Sequence, residues 1–276
     1  MMSNWCQVLC STGAFTRVPH ITDHRLILQY GPGLPADGLE VMFHLQWYAQ
    51  IERVADDLLS TGLKFPAVHA EKSTGAAMGS ADASQRAIGL ERLKANCQFA
   101  QRIGAGLVVM HLWGMPESDT HIERNLAILG DCLSIAEDAG VALAVETIPC
   151  IQAKPLTHIR RVMEQDARSM IALDTEFLAQ HQQLDEAVAA AWLWQGGRVR
   201  HVHIKDYDGQ SATADGYRRY LHPGEGKIDF ARFFRSLQNH GFTGSISLEA
   251  SVVNQDNSID LEKLKKSVET LKALVG

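Results

Sequence analysis

Short apolar segments recur eight times along this 276-residue chain, and segments of helical period separate them. Each apolar segment has the length and composition of a buried β-strand. The eight segments are residues 5–12, 38–43, 64–70, 106–113, 141–148, 169–175, 199–206 and 244–250. Strands that alternate with helices lie parallel and are joined by right-handed crossovers, so the pattern predicts an α/β fold.

Seven of the intervening segments place apolar residues three and four positions apart, as helices that pack on a sheet do. They are residues 45–62, 85–106, 123–140, 156–167, 184–194, 229–241 and 259–275. Residues 19–38 carry the weakest helical pattern. Because the chain shows no linker, low-complexity tract or change of composition, we expect residues 1–276 to form a single domain.

Strand composition favours a closed barrel over an open sheet with helices on both faces. In residues 141–146, branched Val and Leu side chains alternate with Ala and finally with Glu146. Small or polar side chains suit a narrow lumen, whereas branched side chains suit the surface beneath the helices. Residues 245–249 repeat this alternation. We therefore predict a (β/α)8 TIM barrel, with a doubly wound open sheet as the alternative.

Composition and charge exclude several classes of function. A formal net charge of -6 argues against a partner bound mainly through nucleic-acid phosphates. The 5 cysteines are scattered and include no CxxC pair, which indicates reduced thiols. The sequence shows no signal-peptide pattern and no apolar stretch of the roughly 18 residues that span a membrane. We expect a cytoplasmic protein without a membrane or nucleic-acid partner.

Acids and imidazoles stand where six of the predicted strands end. They are His69, His111, Glu146, Asp174, His203 and Glu249. Each lies an even number of residues from an inward-facing candidate in its own strand, so all should face one lumen. Barrel active sites lie at this end of the strands. Such a cluster needs a cation, and its two glutamates, aspartate and His203 suit Mn²⁺, Mg²⁺, Zn²⁺ or Co²⁺.

Each of these residues also has a simpler interpretation. A strand-end acid such as Asp174 commonly caps the following helix. His69 and His111 are open to two interpretations, as substrate contacts or as packing residues. His201, one inward step deeper in its strand, is expected to be structural.

Two further features near these strand ends have alternative explanations. Lys205 either holds a substrate oxygen or a carboxylate, or forms a salt bridge with Asp206 or Glu225. The GEG sequence at residues 224–226 either offers backbone N–H groups to an anion or permits a tight turn into the next helix. We favour the turn, because glycine supplies the backbone freedom that a turn needs.

Five motifs resemble those of the xylose-isomerase-like barrel superfamily, and the resemblance covers essentially the whole chain. The motifs are VETIP (145–149), LD within IALDTEF (171–177), HVHIKDYDG (201–209), HPGEGKIDF (222–230) and GSISLEAS (244–251). This superfamily includes sugar isomerases and epimerases, inosose-processing enzymes and abasic-site nucleases of the endonuclease IV type. The GEG-x-IDF loop, followed by a strand that ends on glutamate, is the most specific part.

The resemblance implies one divalent metal ion held by Glu146, Asp174, His203 and Glu249. It also implies that the two glutamates are the acid–base pair of an isomerase or epimerase that works through an enediolate. The substrate would be a small sugar, sugar acid or cyclitol, free or phosphorylated. Candidate substrate contacts are His69, His111, Lys205, His222 and Trp113, with Trp113 covering a sugar face.

Other activities of the superfamily remain as alternatives. A dehydratase of the inosose or dehydroshikimate type would share the metal and the proton abstraction. The nuclease branch needs a histidine where this chain has Phe177, and an Asp-x-His where it has Arg218 and Tyr220. We therefore expect one metal ion rather than three, and a carbohydrate rather than DNA. A barrel that keeps its pocket only for binding is disfavoured by the intact glutamates.

The superfamily includes dimers and tetramers, which makes a homo-oligomer an expectation, although the sequence does not indicate its interface. Residues 75–82 and 209–220 are expected to be mobile loops over the mouth of the barrel, where they would influence substrate choice.

Overall fold

Eight parallel strands close into one barrel in chain order in the computed structural model, which describes residues 5–16 and 21–276. The strands are β1 (Gln7–Ser11), β2 (Gly38–Met42), β3 (Ala67–His69), β4 (Leu107–Met110), β5 (Ala142–Glu146), β6 (Met170–Asp174), β7 (Val199–Ile204) and β8 (Ser245–Leu248). β8 pairs with β1 and closes the ring. The predicted (β/α)8 barrel is confirmed, and the open-sheet alternative is excluded.

Helices surround the strands on the outside of the barrel. They are α1 (Arg25–Tyr30), α2 (Ile51–Ser60), α3 (Thr74–Met78), α4 (Ala83–Arg102), α5 (Ile122–Ala127), α6 (Leu129–Asp138), α7 (Pro155–Gln165), α8 (Thr175–Gln180), α9 (Leu184–Ala189), α10 (Ala191–Trp194), α11 (Phe230–Asn239) and α12 (Leu261–Val275). Short 3₁₀ segments are Thr12–Ala14, Gly31–Gly33, Leu45–Gln50 and Gln195–Gly197. No helix of the described residues is long and apolar enough to cross a membrane.

Aspartate side chains begin several of these helices. Asp82, Asp174, Asp229 and Asp260 each accept a hydrogen bond from a backbone N–H two or three residues further on. These caps satisfy backbone donors that have no partner within the helix. The capping alternative for Asp174 is therefore realised, and it places α8 directly after β6.

The segment predicted as a mobile loop at residues 75–82 contains a helix instead. α3 begins one residue before it, and a Cβ on Gly75 would lie 2.0 Å from the backbone oxygen of His111. Only glycine allows the two backbones to approach so closely. The other predicted loop, residues 209–220, is mostly exposed and contains no helix or strand. Of the weak helical segment 19–38, residues 19–20 lie outside the described residues, and the rest contains α1.

Two separate sets of apolar side chains confirm the predicted alternation along the strands. Val109, Ala144 and Ala172 form a small buried cluster inside the barrel. Their sequence neighbours, such as Val108 and Val145, belong to the larger core between the strands and the helices. Small residues on the inner face leave room in the lumen for the larger polar side chains near the strand ends.

A bulge in β7 sets the direction of its two histidines. Ile171 of β6 pairs with Val199, but Ala172 pairs with His201, so Arg200 is the extra residue. Arg200 is exposed, whereas His201 and His203 are buried. A bulge re-aims the side chains that follow it. Here it turns both imidazoles into the lumen.

Candidate active site

Four side chains from neighbouring strands converge at the carboxyl end of the barrel. Glu146 ends β5, Asp174 ends β6, His203 lies in β7 and Glu249 follows β8. Each presents one nitrogen or oxygen atom within 4.8 Å of those of the other three, and all four residues are buried. The structure thus brings together the four residues that the resemblance implied as metal ligands.

Glu146 lies at the centre of a set of histidines. His203 Nδ1 is 2.7 Å from its Oε1, while His111 Nε2 and His69 Nε2 lie 2.9 Å and 3.1 Å from its Oε2. Burial raises the pKa of Glu146, but His203 and His111 lower it more, and the net pKa is well below the usual range. Burial also lowers the pKa of His111 to about 4. Glu146 is therefore ionised and held from two sides.

Lys205 is the cation closest to the other two carboxylates. Its Nζ lies 2.7 Å from Asp174 Oδ2 and donates a hydrogen bond to Glu249 Oε2. Burial lowers the pKa of Lys205, but the charges of Asp174 and Glu249 raise it by more, and the net pKa is well above the usual value. The ammonium therefore stays charged. The salt bridge with Asp206 or Glu225 considered from the sequence is not formed.

Asp174 uses its two oxygens differently. Oδ1 accepts the capping hydrogen bond from Phe177 N at 2.9 Å. Oδ2 accepts no hydrogen bond of good geometry from any described residue, although Lys205 Nζ is near. Burial raises the pKa of Asp174 to about 7, with Lys205 opposing the shift and Glu146 adding to it. A donor set of three carboxylates and one imidazole, with one buried carboxylate oxygen not used by a hydrogen bond within the described residues, suits a hard divalent ion.

Two threonine hydroxyls form hydrogen bonds with the backbone at the strand ends that carry Asp174 and Lys205. Thr147 Oγ1 accepts a hydrogen bond from Asp174 N at 2.8 Å. Thr175 Oγ1 accepts one from Lys205 N at 3.0 Å and donates to Lys205 O at 2.7 Å. These bonds join the ends of β5, β6 and β7 through buried groups, so the cluster is organised before any ligand arrives.

Little of the cluster is accessible. His111 keeps the largest exposure, with its side chain 15% accessible, against 5% for Glu249 and Lys205 and 1% for Glu146. The ammonium of Lys72, on a largely exposed side chain, lies 3.6 Å from Glu249 Oε1. A cleft of about 520 Å³ lies elsewhere, between α9, the segment after β7 and α11. A ligand would therefore approach between His111, Lys72 and Glu249.

Trp113 and His222, expected to contact substrate, are not brought into this cluster. Trp113 has no exposed surface, and its ring packs edge-to-face on His158 with 5.3 Å between ring centroids. No face of the indole is thus free to cover a sugar. His222 is buried with Nε2 3.4 Å from the backbone oxygen of Ser251, and burial lowers its pKa to about 4.

Two groups of the site were missed by sequence reasoning. Lys72 follows β3 on an exposed segment, and nothing in its sequence context distinguishes it from other surface lysines. Glu40 lies within β2, fully buried, beneath His203. Glu40 interrupts an apolar strand as Glu146 does, but it lies inside the strand, so a search of strand ends passes over it.

The GEG loop is built around Asp206. Gly224 N and Gly226 N each donate to Asp206 Oδ2 at 2.9 Å, and Ile228 N donates to Oδ1 at 3.0 Å. A Cβ on Gly226 would lie 2.4 Å from Asp206 Oδ1, which explains the glycine. Because these N–H groups already bind a carboxylate, they are not free for an anion. The turn interpretation of the GEG sequence is supported.

We expect Asp206→Ala to lower the free energy of unfolding by about 1–3 kcal/mol, because it leaves three partly buried backbone donors without their acceptor. Denaturant unfolding followed by circular dichroism measures the change. Asp215→Ala is the control, since Asp215 is exposed in the neighbouring loop, and its effect should stay within about 0.5 kcal/mol. Equal stability of the two variants would show that Asp206 does not hold the loop.

Asp119 forms a second buried anchor, outside the cluster around Glu146. It accepts hydrogen bonds from the backbone N–H groups of residues 151–153 and from His158 Nε2. Cys150 lies close enough to join Asp119 and His158 as a metal ligand. Both oxygens of Asp119 are already saturated by these donors, so we assign it to fixing the loop after β5 rather than to binding a cation.

Comparison with known proteins places this geometry in a family. The family model described as xylose isomerase-like TIM barrel matches residues 31–274. The L-ribulose-5-phosphate 3-epimerase UlaE of Escherichia coli O157:H7 (strain EC4115 / EHEC) is 24% identical over 253 residues, covering 86% of this chain and 83% of the relative.

Solved structures show the same fold at low identity. A structure of L-ribulose 3-epimerase superposes with a TM-score of 0.75 at 18% identity, covering 98% of this chain and 94% of the other. The D-allulose 3-epimerase from Methylomonas sp. in complex with D-allulose gives a TM-score of 0.74 at 16% identity, covering 97% and 96%. The chain belongs to the xylose isomerase-like TIM barrel family.

Proposed function

We propose that this chain is a divalent-metal-dependent epimerase of a small ketose or ketose phosphate. The observation that carries the proposal is the convergence of Glu146 and Glu249 with Asp174 and His203 in one buried cluster. The matched relatives named as ribulose-phosphate, ribulose and allulose epimerases support a sugar substrate. The reaction is the removal and return of a proton beside a carbonyl, through an enediolate.

Glu146, Asp174, His203 and Glu249 would hold the ion. When bound, a divalent ion supplies Lewis-acid stabilisation of the negative charge that develops on the substrate oxygens. The buried strand ends keep the four side chains in place and exclude water. Mn²⁺, Mg²⁺, Zn²⁺ and Co²⁺ all accept such an oxygen-rich donor set, so the geometry leaves the choice of metal to experiment.

The two glutamates are placed for proton transfer in different ways. Glu249 Oε2 faces Lys205, while Oε1 points toward the accessible side, where Lys72 is its charged neighbour. Glu249 Oε1 is therefore the freer oxygen and the better placed to meet a substrate C–H. Glu146 would act on the opposite face of the substrate, with His111 Nε2 2.9 Å from its Oε2. Proton removal on one face and return on the other inverts the carbon.

Exchange of a substrate hydrogen with solvent tests the proposal. L-Ribulose, its 5-phosphate and D-allulose would be incubated in D₂O with added Mn²⁺ or Co²⁺ and followed by NMR. We expect deuterium at C3 together with the C3 epimer, because both carboxylates exchange their protons with solvent. An aldose product would indicate an isomerase, and absorbance of a new conjugated carbonyl would indicate a dehydratase. If none of the ketoses exchanges although metal is bound, the proposal fails.

The nuclease alternative has one supporting observation. His69 and His111 converge on Glu146, as a second metal position of that branch would require. Against it, the ring of Phe177 lies 4.6 Å from Lys205 Nζ, and Arg218 pairs with Glu176 at 2.6 Å. An aromatic ring and an arginine thus stand where further ligands would be needed. Metal stoichiometry separates the two alternatives.

A further inference from the structure

Glu40 is a buried carboxylate to which the proposed reaction assigns no role. It lies in the barrel lumen with no exposed surface. Its Oε1 is 2.9 Å from His203 Nε2 and 3.4 Å from His201 Nε2, and its Oε2 accepts a hydrogen bond from Ser247 Oγ at 2.7 Å. Burial of a carboxylate is costly, and an apolar residue would fill the same space more cheaply. Such a group calls for an explanation beyond packing.

His203 joins Glu40 to the cluster around Glu146. The two ring nitrogens of His203 point in opposite directions, with Nε2 toward Glu40 and Nδ1 toward Glu146 Oε1 at 2.7 Å. Glu249 Oε2 lies on the same side as Nδ1, at 3.7 Å. Both nitrogens thus face a carboxylate, but Glu146 would itself be a ligand of the ion, whereas Glu40 would not. Glu40 is therefore the partner that would keep a proton on Nε2 while Nδ1 offers its lone pair to the cation.

The surroundings hold Glu40 firmly in this position. Ser247 of β8 fixes Oε2, and His201 Nδ1 is in turn 2.8 Å from Ser245 Oγ. The regular register of β7 and β8 pairs His201 with Ser245 and His203 with Ser247. Donors from β7 and β8 therefore surround a carboxylate from β2. Glu40 faces the lumen, whereas its sequence neighbours Leu39 and Val41 belong to the core between the strands and the helices.

We propose that Glu40 is a positioning residue that accepts a hydrogen bond from Nε2–H of His203 and so presents Nδ1 for binding of a divalent cation. The inference rests on the proposed function, since it concerns the ion that the cluster would hold. Glu40 does not contact the ion or the substrate. It acts only through His203, by fixing which nitrogen carries the proton and the plane in which the ring lies.

The test is the affinity of the metal-free protein for Co²⁺ alone, measured by titration calorimetry and by the visible absorbance of bound Co²⁺. We expect Glu40→Gln to weaken Co²⁺ binding about 10–100-fold, the usual effect of removing a carboxylate behind a histidine ligand. Far-UV circular dichroism and the thermal midpoint of the metal-free variant should stay close to those of the original protein, because the amide has the same shape.

Ser247→Ala is the matched control. It removes a hydrogen bond from the same carboxylate but leaves the contact between Glu40 and His203, so its Co²⁺ affinity should stay within about threefold of the original. Equal affinity of Glu40→Gln and the original protein would overturn the inference, as would equal weakening in both variants. If the original protein itself binds no Co²⁺, the proposed function fails first, and the two failures are thus distinguishable.

Discussion

Glu249→Gln and Glu146→Gln should each lower kcat by about 1,000-fold or more, because each removes a carboxylate that takes or returns the substrate proton. Glutamine keeps the shape of the side chain and can still accept a hydrogen bond, so the fold should be intact. The measurement is the initial rate of epimerisation of the best ketose from the exchange assay, with circular dichroism to verify folding.

The two variants should also differ in a way that tests their assigned roles. Glu146 contacts three imidazoles, whereas Glu249 faces the accessible side. Glu146→Gln should therefore change the positions of more side chains in the cluster than Glu249→Gln does. Glu164→Gln is the control, because this exposed residue forms its ion pair with Arg160 on α7, away from the cluster. Near-normal rates in both active-site variants would show that the acid–base assignment is wrong.

Asp174→Ala should remove the bound divalent ion and abolish turnover, while the original protein should carry one ion per chain. The variant loses Oδ2, which accepts no hydrogen bond of good geometry within the described residues, and also the Oδ1 cap of α8. Loss of a cap alone costs about 1 kcal/mol of stability. Elemental analysis of the purified proteins measures the ion content, and chelation followed by return of Mn²⁺ tests its need.

Asp229→Ala is the control for Asp174→Ala, because it removes a helix cap without removing a carboxylate from the cluster. Asp229 caps α11 through a hydrogen bond from Arg232 N at 2.9 Å, the same length as the bond at Asp174. It should lose a similar amount of stability and keep the full metal content. Three zinc ions per chain would redirect attention to abasic-site DNA. No ion, even after metal is added back, would mean that the cluster does not bind metal.

The barrel and the central cluster could be predicted because both depend on local periodicity. Apolar segments at regular spacing define strands, and the side-chain period of two then decides which residues share the lumen. Asp174 illustrates this, because its position at a strand end predicted two roles for its carboxylate, a helix cap and a metal ligand. Oδ1 caps a helix, which confirms the capping interpretation, and Oδ2 faces the cluster, where the role of metal ligand stays a prediction.

The remaining features depend on relations between strands that no single segment contains. Glu40 becomes recognisable only when the register of the barrel places it beneath His203. Trp113 follows β4 by three residues, which would allow it to lie at the mouth of the barrel, but its side chain is buried in the core. A salt bridge of Lys205 with Asp206 or Glu225 was one interpretation of the sequence, but the closed barrel supplies Glu249 from the next strand instead.

The hydrogen bonds that hold the GEG loop also separate it from the segment that precedes it, residues 208–220. Asp206 N donates to Leu221 O at 2.8 Å, so the chain between them leaves and returns at one point. The Asp206 carboxylate holds the backbone that follows. Since the closure entropy of a loop grows only slowly with its length, chimeras that exchange residues 208–220 for shorter or longer segments should fold. The segment could then be exchanged without disturbing the backbone that Asp206 holds.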